Sequence, residues 1–180
     1  MTDWLATCRE ATGDVRRVLD ELPTRDEREP VVGQGVGGDD TTAIDAAAER
    51  AIVERLDAAD EHFALVSEEL GHRAAAHDGG LVVVLDPIDG SINAKRGIPF
   101  FALSIAIAEG STMDDVIFGY VHDFGSGEEW TAVRGDGALL NGGPIGPVLP
   151  KDPIELLSLE ATRTDLVAQH VHSRRLRETG

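Results

Sequence analysis

The run Leu81-Val82-Val83-Val84-Leu85 passes without a break into Asp86-Pro87-Ile88-Asp89-Gly90-Ser91, and that junction constrains the fold more than any other stretch. Five consecutive aliphatic residues, three of them β-branched, suit a buried strand. Pro87 fixes its own φ and drives Asp86 toward extended backbone, so Asp86 leaves the strand in a preset direction. Gly90 permits a turn that other residues resist, and such turns leave backbone N–H groups free to meet an anion. Two carboxylates three residues apart, beside a hydroxyl and an anion-binding turn, are the parts that a Mg²⁺-assisted phosphate ester hydrolase needs.

Charge narrows the remaining classes. The 180 residues carry 33 acidic against 16 basic side chains, a net charge of −17, with Lys95 and Lys151 as the only lysines. Nucleic acid and anionic membranes are bound by clustered Lys and Arg, so neither is an expected partner. An Asp- and Glu-rich surface almost without lysine points instead to a protein adapted to high salt, where screening suppresses self-repulsion. Cys8 is the single cysteine, which excludes an intrachain disulfide and a cysteine-based zinc site; it is expected on the buried face of the first helix. No apolar run approaches the ~20 residues that cross a bilayer, and Met1-Thr2-Asp3-Trp4 lacks the basic start of a signal peptide. The expected location is the cytoplasm.

In chain order, Asp3 is placed to cap a helix whose apolar stripe runs from Trp4 to Leu22, with Pro23 marking its end. Residues 24–30 read as a charged loop and Val31 to Gly38 as a glycine-rich one. Asp39-Asp40-Thr41-Thr42 reads as the start of a second helix over 43–59. Strands are expected at 63–66, 81–85, 100–108, 116–121, 130–133 and 154–159, a turn at Asn141-Gly142-Gly143-Pro144, and a last helix at 165–176. Consecutive strands between helices argue for an α+β fold.

Glu68 follows one of these strands, and Asp86 with Asp89 follows another. If the two strands are neighbours, three carboxylates share one cleft, and they cannot all ionise cheaply unless a cation lies among them. Oxygen-only ligation favours Mg²⁺ or Mn²⁺ over zinc, with the Ile88 carbonyl as a further ligand. His72, His77, His122, His170 and His172 fall on different expected elements and read as solvated rather than zinc-binding. Gly33-Gln34-Gly35-Val36-Gly37-Gly38 matches a dinucleotide-binding pattern, but only Val31-Val32 precede it, and Asp39-Asp40 put negative charge where a pyrophosphate would sit. A flexible loop over the acidic site is the better reading.

The central motif, continued by Asn93 and by Gly97-Ile98-Pro99-Phe100-Phe101-Ala102-Leu103-Ser104-Ile105-Ala106, resembles the metal motif of the inositol monophosphatase family. Ser67-Glu68-Glu69-Leu70-Gly71 is similar to that family's upstream glutamate motif. Gly37 to Asp45, Asn93-Ala94 and Gly97-Ile98-Pro99 look most like its archaeal branch, whose members act on inositol monophosphate and fructose 1,6-bisphosphate. The resemblance covers residues 3–160. It implies a layered sandwich of helices and antiparallel sheet, with a metal-binding phosphatase domain at 1–147 and the start of a truncated C-terminal α/β domain at 148–180. It further implies that Glu68, Asp86, Asp89 and the Ile88 carbonyl hold Mg²⁺, or Mn²⁺ in its place. Asp45 would accept from Ser91, which stands where the family has threonine, and the pair would activate water, with Glu68 also in the catalytic set. Gly90 and Ser91 N–H groups would bind phosphate, and Arg96 the substrate. The implied substrate is a small phosphorylated sugar or polyol, and homodimerisation is common in the family.

One departure qualifies this. No Asp-x-Ala-Ala-Gly sequence follows Asp89, where the family has a further metal-binding aspartate. The 180 residues therefore read as a fragment or an early-terminated form, expected to be weakly active or inactive alone. The competing expectation is a non-catalytic regulatory or interaction protein that keeps the phosphatase fold.

Overall fold

The structure, a computed structural model, describes residues 2–36, 38, 40–59, 62–74 and 80–146. The chain divides into two compact units, 1–145 and 146–180. The second, with the expected strand at 154–159, the helix at 165–176 and the C-terminal domain start at 148–180, lies outside the described residues, as does Lys151.

Helix α1 spans Trp4–Glu21, capped by the Asp3 carboxylate, which accepts from the Ala6 N–H at 3.1 Å. A four-residue helix α2, Arg25–Arg28, follows. Then come strands β1, Val31–Gln34, and β2, Asp40–Thr42, paired antiparallel, and helix α3, Ala43–Asp57. Beyond α3 lie β3, Phe63–Ser67; β4, Gly71–Arg73; β5, Leu81–Asp89; and helix α4, Ser91–Arg96. The remainder is β6, Ala102–Ala108; β7, Val116–Asp123; β8, Glu129–Val133; β9, Gly137–Leu140; and β10, Gly143–Pro144. The fold is α+β.

The main sheet has eight strands in the order β10-β9-β8-β7-β6-β5-β3-β4. Every neighbouring pair is antiparallel except β3 and β5, which run parallel. The inner face follows the two-residue period: Phe63 and Leu65 of β3, Val83 and Leu85 of β5, and Leu103, Ile105 and Ile107 of β6 are buried. Against them pack α1, through Cys8, Ala11 and Val15, and α3, through Ile44, Ala48, Ile52 and Leu56. Cys8 is fully buried, as its helix position implied. Asp14, itself buried, ties the two helices together by accepting from Arg55 Nε at 2.8 Å. No helix among the described residues is long and apolar enough to cross a membrane.

Several boundaries differ from the sequence reading, each for a local reason. The charged stretch after Pro23 holds α2, because Glu27 accepts from the Thr24 N–H at 2.9 Å and from the Thr24 hydroxyl at 2.6 Å. Thr42 caps α3, but Asp40 to Thr42 are paired strand rather than helix start, and the glycine-rich segment before them forms the other arm of that hairpin. Strand β5 does not stop at Leu85. It continues to Asp89 through a bulge: Asp86 faces Ser104 while Asp89 faces Ala102, leaving one extra residue on β5. The bulge is what lets Pro87, which has no N–H, lie buried inside the sheet. The short strands β4, β9 and β10 carry no apolar run that the sequence pattern registers.

The loop after α4 is braced from β7. Phe124 N–H donates to the Phe101 carbonyl at 3.1 Å, and the two rings stack with centroids 5.3 Å apart. Gly125 passes so close to this loop that a Cβ there would lie 1.9 Å from the Pro99 carbonyl oxygen. Backbone cannot yield as a side chain does. Gly125→Ala is therefore expected to lower the unfolding free energy by about 1–3 kcal/mol in urea titrations; a change below about 0.3 kcal/mol would contradict this packing.

Candidate functional site

The parallel pairing of β3 with β5 sets Ser67 opposite Leu85, so the following residues, Glu68 just past the end of β3 and Asp86 still within β5, come side by side. The two carboxyls lie close enough for each to shift the titration of the other. Removal from water is the largest cause that raises the Glu68 carboxyl from 4.5 to about 7; the neighbouring Asp86, then Glu69 and Asp45, add to it. Asp86 is raised as well, by burial first and the Asp89 charge next, against the lowering effect of Glu68 and of the Ile88 N–H. No arginine or lysine is among the main influences on either group.

The chain after Pro87 keeps the Ile88 N–H near enough to Asp86 to favour its charged form. Beyond it Gly90 takes φ +97°, and a Cβ there would meet the Phe100 carbonyl at 3.1 Å and Phe101 Cβ at 3.2 Å. Both conformation and space thus demand glycine. The turn starts α4, whose first residue, Ser91, donates its hydroxyl to the Ile88 carbonyl at 3.0 Å.

Asp45 enters from α3. It is 2% exposed, and its Oδ2 accepts from the Thr42 N–H at 3.1 Å and from the Thr42 hydroxyl. Its Oδ1 and the Oδ1 of Asp86 are buried without a hydrogen-bond partner among the described residues. The expected bond from Ser91 to Asp45 is not made: Ser91 is turned to Ile88 and Asp45 to its own helix cap.

Of the residues singled out from the sequence, the structure brings Glu68 and Asp86 together, with Asp45 and Asp89 near enough to act on them by charge. Ile88, Gly90 and Ser91 form the adjoining turn. Among the described residues, no group of three or more His, Cys, Asp and Glu side chains is close enough to hold one ion unaided. Arg96 is exposed on the last turn of α4, and its charge acts on Glu29, just after α2. The sequence reading passed over Glu49 and Thr41. Glu49, 3% exposed, accepts from the Ser67 hydroxyl and from the Leu70 N–H at 3.2 Å; the Thr41 hydroxyl donates to Glu69. The available signal was spacing. Asp45 and Glu49 lie four apart on one helix face, and two acids on an inward face are unusual.

Two unpaired buried carboxylate oxygens, with the Glu68 carboxyl close by, are costly without a counter-charge. The donors are all hard oxygens, which suits a divalent cation of the Mg²⁺ or Mn²⁺ type. In metal-free protein the unfolded chain loses the Glu68 proton first. The stability present below about pH 4.5 is therefore lost progressively as pH rises to about 7. Glu68→Gln cannot ionise. Under chelator its melting temperature is expected to exceed the parent's at pH 7.5 by a few degrees and to match it at pH 4.5. Parallel pH profiles for the two proteins would contradict this electrostatic picture.

Comparison with known proteins gives the site its relatives. The model of the inositol monophosphatase family matches residues 5–180. An Archaeoglobus fulgidus protein named fructose-1,6-bisphosphatase/inositol-1-monophosphatase is 39% identical over 140 residues, covering 78% of this chain and 53% of its own length. A Pseudomonas aeruginosa protein named Nus factor SuhB is 39% identical over 105 residues, 58% of this chain and 38% of its own. The crystal structure of an inositol monophosphatase–fructose 1,6-bisphosphatase superposes with a TM-score of 0.69 at 30% identity, over 80% of this chain and 54% of that one. The chain spans about half the length of the curated relatives it matches. With a family match over nearly its whole length and the same fold in a solved relative, the chain belongs to the inositol monophosphatase family.

Proposed function

We propose that this protein serves the hydrolysis of phosphate monoesters of small sugars or polyols, such as fructose 1,6-bisphosphate or inositol monophosphate, with Mg²⁺ or Mn²⁺ held by Glu68, Asp86, Asp89 and the Ile88 carbonyl. The observation that carries this reading is the pair of orphaned buried oxygens on Asp45 and Asp86 next to the Glu68–Asp86 pair. The bound cation would supply a water of lowered pKa and charge neutralisation at the ester. The chain's own residues do the rest. Glu68 and Asp86 would hold the cation, and Asp89 would add negative charge from the bulge. The first N–H groups of the Gly90–Ser91 turn have no intrahelical acceptor and meet the phosphate oxygens. Ser91 orients the attacking water once its hydroxyl swings from Ile88, and Asp45, with an oxygen free of hydrogen bonds, accepts the proton that Ser91 passes on. Arg96, exposed on α4, offers positive charge to the substrate.

Phosphate release from a panel of sugar and polyol phosphates is expected to need divalent cation, to stop with chelator, and to fall about 100-fold or more in Asp86→Asn. Ser91→Ala is expected to lower kcat by about 10²-fold. Hydrolysis that survives both chelation and Asp86→Asn would overturn the proposal. A second reading has its own support: relatives named Nus factor SuhB are 38% and 39% identical to this chain. Cation binding without hydrolysis of any ester in the panel would favour that non-catalytic, interaction-type role.

A further inference from the structure

Glu49 is buried, charged and unused by the chemistry above. From α3 it reaches the far side of the turn that follows β3, where it accepts from the hydroxyl of Ser67 and from the N–H of Leu70 at 3.2 Å. Those two donors bracket Glu68, one residue before it and two after. Ser67 is itself 6% exposed, whereas the Leu70 side chain is 57% exposed, so no apolar burial of Leu70 pins the turn. A carboxylate removed from water holds its donors firmly, because leaving either side unpaired is costly.

We infer that Glu49 is a positioning residue for cation binding: by anchoring Ser67 and Leu70 it fixes the backbone of the turn between them, and so presents Glu68 toward Asp86. The inference rests on the cation-binding reading above and deepens it. Partners that orient a ligand from behind are known to change metal affinity by about 10–100-fold when removed. Glu49 would do this for Glu68 through Ser67 and Leu70. Its useful feature is the acceptor oxygen rather than the charge, so an amide of the same shape should serve.

The test is Mn²⁺ affinity measured by calorimetry on the whole 180-residue chain, with the melting temperature of each variant recorded beside it. Glu49→Ala is expected to weaken Mn²⁺ binding about 10–100-fold. Glu49→Gln, which keeps a carbonyl oxygen for both donors, is expected to restore it to within about threefold. Glu49→Ala binding as tightly as the parent would overturn the inference, and so would Glu49→Gln binding as weakly as Glu49→Ala. Should Glu49→Ala fail to fold, Ser67→Ala carries the test, since it removes one of the two anchors and leaves the carboxylate paired with Leu70; parental affinity there would overturn the inference. Asp86→Asn separates the two levels. Parental Mn²⁺ affinity in Asp86→Asn overturns the cation-binding reading and this inference with it, whereas loss in Asp86→Asn with unchanged affinity in Glu49→Ala overturns this inference alone.

Discussion

The one parallel pairing in an otherwise antiparallel sheet governs the rest of the molecule. Strands that run the same way end on the same edge, so β3 and β5 deliver Glu68 and Asp86 to one place. An antiparallel pairing would have sent them to opposite edges. The connection between the two strands includes β4, which turns back along β3 and closes the sheet on that side. On the other side β6 pairs with β5 through a bulge, which bends the strand where proline removes a hydrogen-bond donor. The helices lock this frame from one face: α3 contributes core through Ile44, Ala48, Ile52 and Leu56, and on its first two turns carries Asp45 and Glu49. Core and site are therefore built from the same elements, and the rigidity of the one is lent to the other.

Electrostatically the site is an unfinished structure. Other acids among the described residues are settled: buried Asp14 by Arg55 and Arg17, half-buried Glu129 by Arg9, buried Glu49 by a hydroxyl and an N–H. Asp45 and Asp86 each keep one buried oxygen without a partner, and Glu68 is pushed toward retaining its proton at neutral pH. A chain with so few cations spends its arginines on holding helices and strands together, and none is a main influence on Glu68 or Asp86. A cation from solution would supply the missing counter-charge. That is the sense in which the fold favours a small hard cation over an internal ion pair.

Much of this was legible in the residues. The apolar run into Asp86-Pro87-Ile88-Asp89-Gly90 announced a buried strand ending in an acidic turn, and Asp3 announced the cap of α1. What escaped notice has physical causes. In the hairpin of β1 and β2, β1 is exposed and β2 buries only the polar Thr41 and Thr42, so no apolar alternation marks it. Helix α4 is only six residues long and sits between two glycines of positive φ, Gly90 and Gly97; the second is a common helix stop that was present to be read. Helix α2 was encoded by the Thr24–Glu27 pair rather than by hydrophobic pattern. In the site, the carboxylate pair could be anticipated from strand order, but the side-chain partners of Ser91, Asp45 and Glu49 could not. Ser91 and Asp45 take partners three residues away, Ile88 and Thr42, where other local choices were open, and Glu49 meets Ser67 and Leu70 across elements far apart in sequence, which the periodicity of each element leaves open.

Anomalous scattering from crystals of this protein grown with Mn²⁺ reads the proposed cation site at Glu68 and Asp86. A peak is expected within about 2.5 Å of carboxylate oxygens of both side chains. An empty position between those two side chains at saturating Mn²⁺, or peaks confined to other acidic groups on the surface, would contradict it.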